Sequence, residues 1–122
     1  MSHVQIVQHQ SRPVILLDFT GLATPAEWQA AVAEARRVFA ARPADGSALT
    51  LTDVSGTRYN RETVELMKAL TTENKLYVKA GAVVNKSVMH RAAISMVSLF
   101  ARRKFEVFET RAQALDWLVA QN

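Results

Sequence analysis

At 122 residues, 49% of them apolar and 21% charged, the chain has the size and balance of one ordinary globular domain, which excludes the disordered and fibrous classes. It contains no cysteine, so disulfides, thiolate catalysis and cysteine-ligated zinc or iron–sulfur centres are excluded. The net charge of +4 is unevenly placed: seven basic residues face eight acidic ones through Asn74, and eight face three from Lys75 onward, which suits the second half to an acidic partner.

Met1 to Gln10 shows no basic segment followed by an apolar run, and no stretch is long enough to cross a bilayer, so a cytoplasmic protein is expected. Val4, Ile6 and His9 alternate with polar neighbours as an edge strand does. Pro13 opens the apolar run Val14-Ile15-Leu16-Leu17, which ends at Asp18 and reads as a strand covered on both faces; Gly21 follows. Thr24-Pro25-Ala26-Glu27 joins a capping hydroxyl, a proline at the first helical position and a glutamate at the third. The helix it starts carries Trp28, Ala31, Val32, Ala35, Val38 and Phe39 as one stripe, until Arg42-Pro43-Ala44-Asp45-Gly46 breaks it.

Ala48 to Val54 predicts a buried strand with the Asp53 carboxylate at its C-terminal end, and Ser55 to Tyr59 the turn out of it. Asn60 caps the next helix, with Thr63 three residues on and Val64, Met67 and Leu70 as its inward stripe, ending near Asn74. Tyr77 to Val84 is an inner strand, and Ser87 a cap for a helix to about Ala101. Phe105 to Phe108 is a last strand. Thr110-Arg111-Ala112-Gln113 repeats the capping-box pattern and opens a final helix through Ala114, Leu115, Leu118 and Val119. The order ββαβαβαβα with short connections predicts a single α/β domain over residues 1–122, a mixed sheet with a parallel core and helices packed on it.

This order, and the stretch Leu49-Thr50-Leu51-Thr52-Asp53-Val54-Ser55-Gly56-Thr57-Arg58-Tyr59-Asn60, resemble the STAS (SpoIIAA-like) family. Tyr77 to Val84 and Arg103 to Leu118 look like a bacterial subgroup of STAS-like proteins. The resemblance implies a SpoIIAA-like fold and a non-enzymatic regulatory module that binds a protein partner. Typical anti-sigma factor antagonists of the family carry a phosphorylated serine in Asp-Ser-Ser-Gly at a helix start, and this chain departs from that. Local wording places Asp53-Val54-Ser55-Gly56 on the motif and makes Ser55 the acceptor. Alignment by strand and helix places Asn60-Arg61-Glu62-Thr63 there, with Glu62 at the acceptor position resembling a permanently negative site, and Thr63 a surviving acceptor only if the helix begins slightly later. The second is preferred, because strand register is fixed by which side chains are buried.

In open α/β sheets ligands gather beyond the C-terminal ends of the parallel strands. Asp53, Ser55, Thr57, Arg58, Asn60, Lys86 and Ser87 belong to that edge and form the expected binding site, although the same residue types also cap helices. Asp53 stands without a second carboxylate or histidine in sequence, His3, His9 and His90 are scattered, and there is neither a nucleophile elbow nor a phosphate-binding glycine loop. No catalytic residue, metal or cofactor is therefore expected.

From Val88 to Ala101 apolar residues cover well over half of the helical wheel, more than the roughly 100° stripe a helix on a sheet needs. Where a neighbouring helix does not cover the rest, Met89, Ala93, Met96, Val97 and Phe100 form an interface, first of all for a homodimer. Arg102-Arg103-Lys104 beside it suits anionic lipid as a secondary contact, so the second functional reading is a domain binding lipid or a small anionic or apolar ligand. Nucleic acid is disfavoured, because this short basic cluster has no interleaved aromatics.

Overall fold

A computed structural model describes residues 2–58, 60–86 and 105–121. In chain order these form β1 (Val4–His9), β2 (Arg12–Asp18), α1 (Pro25–Ala40), β3 (Ala48–Asp53), α2 (Arg61–Glu73), a 3-10 turn (Asn74–Leu76), β4 (Val78–Val84), β5 (Phe105–Phe108) and α3 (Arg111–Val119). The helix expected from Ser87 to Ala101 lies outside the described residues, as do Tyr59 and the interface residues Met89, Ala93, Met96, Val97 and Phe100. The strands make one sheet in the order β1-β2-β3-β4-β5, with β1 antiparallel to β2 and the other pairs parallel. Among the described residues no helix is long and apolar enough to cross a membrane.

The β1–β2 hairpin turns on Gln10 and Ser11, both with positive φ (49° and 66°). Left-handed values at both central residues suit the twist of a two-residue hairpin, but such turns normally announce themselves with Asn or Gly, and here nothing in the wording does. Pro13 is tolerated in β2 because its nitrogen points toward β3, and the β2–β3 ladder begins only at Ile15 opposite Thr50.

The alternation of side chains divides the core in two. Ile15, Leu17, Ala48, Val78 and Val83 face α1 and α2, where Trp28, Val32, Phe39 and Leu70 meet them. Val14, Leu16, Leu51, Ala82 and Val84 face the other way, onto Ala114 and Leu118 of α3. At α1 both arms of the Thr24–Glu27 capping box are made, and Asn60 and Thr63 do the same for α2. At α3 the Thr110 hydroxyl accepts from the Gln113 amide at 3.2 Å, the one arm of that box formed among the described residues.

One expectation is corrected. The inward stripe of α2 runs through Thr63, Leu70 and Thr71, with Leu66 and Met67 packed beside it, and Val64 is only half-buried at its margin. Met67 and Leu70 face the core as expected, and Thr63 takes the place expected for Val64 because the capping interaction satisfies its hydroxyl and lets its methyl enter the core.

Candidate recognition edge at the C-terminal ends of the strands

Parallel pairing sets Asp18 directly beside Asp53 at the ends of β2 and β3. Both lie on the same side of the sheet as Val14, Leu16, Leu49 and Leu51, the side covered by α3. The first residue of α3, Arg111, reaches back over this pair. Its Nε donates to Asp53 Oδ2 at 2.6 Å, and a terminal guanidinium nitrogen lies 3.2 Å from Asp18 Oδ1. A cation at a helix N-terminus is opposed by the macrodipole, and the two carboxylates offset that cost.

The two acids differ in their surroundings. The Asp53 side chain is 8% exposed, and its other oxygen accepts the Ser55 amide at 3.0 Å, so it joins the turn after β3 to α3. The Asp18 side chain is 37% exposed. Burial pushes its carboxyl up, but the Thr20 hydroxyl and amide and the Arg111 guanidinium together hold it below its ordinary value. For Arg111 burial opposes the charge, and Asp53 and then Asp18 raise it above the ordinary guanidinium value.

The loops above this latch are stitched to each other. Phe19 N–H donates to Asp53 O, Gly21 N–H to Ser55 O, Arg58 N–H to Leu22 O and Val54 N–H to Val84 O, at 2.8–3.1 Å. The Trp28 indole N–H adds a bond to Arg58 O at 2.9 Å from inside α1. Gly21 and Gly56, with φ of 72° and 70°, make the turns of the two loops, since a left-handed backbone disfavours side chains there. The β2–α1 and β3–α2 loops therefore form one preorganised ledge beside the N-termini of α1 and α2.

Neither a family model nor a curated protein matches the sequence. Among solved structures the chain is similar to an uncharacterised protein of the DUF3478 family with a SpoIIAA-like fold, from Shewanella loihica PV-4. The TM-score is 0.74 at 17% identity, covering 94% of this chain and 91% of that one. The chain has a SpoIIAA-like fold. At that identity the likeness carries the architecture and not the activity.

Within the SpoIIAA-like fold, the residues singled out from sequence are brought to one edge but into different states. Asp53 is in the latch. Thr57 is buried and its hydroxyl donates to Val54 O at 2.8 Å. Asn60 caps α2. Arg58 and Lys86 are exposed, as are Arg61 and Glu62 at the start of α2. Ser87 lies outside the described residues. Of the two phosphoacceptor candidates, Ser55 has a buried Oγ without a hydrogen-bond partner among the described residues, and Thr63 is 2% exposed with its hydroxyl inside the cap. Phosphorylating either requires the turn or the cap to open.

Asp18 and Arg111 are absent from the sequence-derived site. The available signal was the repeated ending of two buried strands in aspartate, together with an arginine placed against a helix dipole. Far from this edge, a cleft of 190 Å³ between α1 and α2 is lined by Phe39, Leu70 and Tyr77, with the Arg36–Glu73 pair at its rim. Its volume suits one small ring rather than a lipid chain.

Proposed function

We propose that this chain is a non-enzymatic protein-interaction module that recognises a partner through the ledge at the C-terminal edge of its sheet. The observation that carries this reading is the assignment of the polar groups. Asp18, Asp53 and Arg111 are tied to one another, Asn60, Thr57 and Thr63 hold turns and caps, and Arg58, Arg61, Glu62 and Lys86 remain outward on a stitched scaffold. A general base needs a proton-bearing partner within reach, and a carboxylate held by a guanidinium is poorly suited to that work. A rigid ledge with mixed exposed charge suits protein recognition, where preorganisation lowers the ordering cost of binding.

The test is affinity capture from extracts of the source cells, comparing the native chain with Arg58→Glu/Arg61→Glu and identifying retained proteins by mass spectrometry. The reading predicts a protein retained by the native chain and reduced at least about tenfold in the variant, the effect of losing roughly 1.4 kcal/mol. Equal retention by both contradicts it. Substrate turnover abolished by Asp53→Ala contradicts it more directly. A lipid recovered by extraction in stoichiometric amount favours the ligand-binding reading instead.

A further inference from the structure

Among the described residues β1 is an outer strand with one neighbour, and its own sequence carries few of the usual edge defences. Val4 to His9 holds no lysine, arginine, aspartate, glutamate or proline, and its register with β2 runs without a bulge over all six residues. Edge strands in folded proteins normally carry such features to prevent pairing with another chain. Ile6 is 49% exposed, one of two large apolar side chains so open among the described residues.

The direction of each backbone group follows from the ladder. Asp18 N–H donates to His3 O, and His9 opposite Arg12 closes the hairpin, so the odd residues of β1 turn their amides and carbonyls toward β2. The even residues turn theirs outward. At Val4 this edge is already covered: the Glu34 carboxylate accepts the Val4 amide at 2.9 Å, and the Ser2 hydroxyl oxygen, which donates to Glu34, lies 2.8 Å from the Val4 carbonyl. Ile6 and Gln8 remain, with two amides and two carbonyls bonded to no described residue.

We infer that two copies of this chain pair through β1, antiparallel about a two-fold axis at Val7, making one ten-stranded sheet. The register is set by the free groups. With the axis at Val7, Ile6 of one copy lies opposite Gln8 of the other and exchanges two hydrogen bonds with it, and symmetry repeats the pair. All four free groups on each copy are then satisfied, and the Glu34 closure stays intact. An axis at Ile6 instead sets Val4 against Gln8 and requires the Glu34 contacts to break. The pairing is isologous, as closed two-fold dimers require, and brings no like charges together across the strands. Val7, half-buried against the α3-side core, meets its own copy at the axis.

The absence of cysteine gives a direct test. Cα atoms of a non-hydrogen-bonded antiparallel pair lie about 4.5 Å apart, within disulfide reach. Val7→Cys is therefore expected to form a disulfide-linked dimer under mild oxidation. Gln5→Cys, with its copies about 14 Å apart across the axis at 3.4 Å per residue, is not. In parallel, light scattering of the native chain is expected to rise with concentration from 13.5 kDa toward twice that mass. Gln8→Pro, which removes an outward amide without touching the β2 ladder, holds the mass at that of the monomer; Ile6→Lys reads the same interface if the proline variant does not fold. A native chain monomeric up to millimolar concentration overturns the inference. So does equal cross-linking of both cysteine variants, or a dimer that survives in the folded edge variants.

Discussion

The two faces of the sheet are covered in different ways. On one, α1 and α2 bring 16 and 13 residues, with Phe19 edge-on to Trp28 at 6.1 Å and Phe39 tilted against Tyr77 at 5.9 Å. On the other, among the described residues, α3 has nine residues and packs Ala114, Leu115, Trp117 and Leu118 against Val14, Leu16, Leu49, Leu51 and Val84, with Phe108 tilted against Trp117 at 5.6 Å. That shorter helix is tied by polar groups at both ends. Arg111 binds Asp53 and Asp18 at its start, and near its end Arg12 donates to the carbonyls of Val119 and Gln121 at 2.8 and 2.9 Å. His9 lies 2.8 Å from Asp116 between them. On this short helix charged hydrogen bonds add to the apolar fastening, and Asp53, the more buried of the two acids at the C-terminal edge, lies inside that structural latch.

Breaking the apolar face should have the largest effect. Phe39→Ala is expected to destabilise the fold by about 3–5 kcal/mol, the usual cost of truncating a buried aromatic, as measured by denaturant unfolding. An effect below about 1 kcal/mol would show that this face does not dominate stability. Arg111→Met, which keeps much of the length and removes the charge, leaves the buried Asp53 carboxylate without its main partner. A cost of about 1–3 kcal/mol is expected, reduced from the fully buried case because solvent reaches the guanidinium. If Arg111→Met equals Phe39→Ala, the contrast between the faces is wrong.

The smallest effect is acid sensitivity, and its sign follows from the shifts. Asp18 sits below its ordinary carboxylate value in the folded chain; burial raises Glu34, but bonds from the His3 amide, the Ser2 hydroxyl and the Val4 amide outweigh it, so Glu34 is lowered too. Their contributions are therefore complete above the unfolded carboxyl values near pH 4, and disappear as pH falls through the folded ones. Midpoints measured from neutral to acid pH should drop in that window, and Asp18→Asn should flatten part of the drop. An unchanged profile would remove Asp18 from the account.

Much of this architecture was legible because its signals are local. Thr24 to Glu27 and Asn60 to Thr63 specify helix starts within four residues, and the run from Val14 to Leu17 marks a strand covered on both sides whatever it packs against. The gathering of these loops at one edge was legible as a place, since parallel strands bring their C-terminal ends to the same side. The latch was not, because Asp18, Asp53 and Arg111 are separated by long stretches of chain and are joined only by strand register. The hairpin at Gln10-Ser11 was hidden for another reason: tertiary pairing imposes left-handed backbone on residues that do not ask for it. At Thr63 a polar residue occupies a core position because its cap satisfies it, which an apolar-stripe reading assigns to Val64.

The latch is tested most directly by native-state hydrogen exchange in the native chain and Arg111→Met. The account predicts that amides of α3 lose protection, by about tenfold for each 1.4 kcal/mol, while those of α1 and β3 change less, because the loss is a local opening of one face. A uniform loss across both faces, or none at α3, would contradict it.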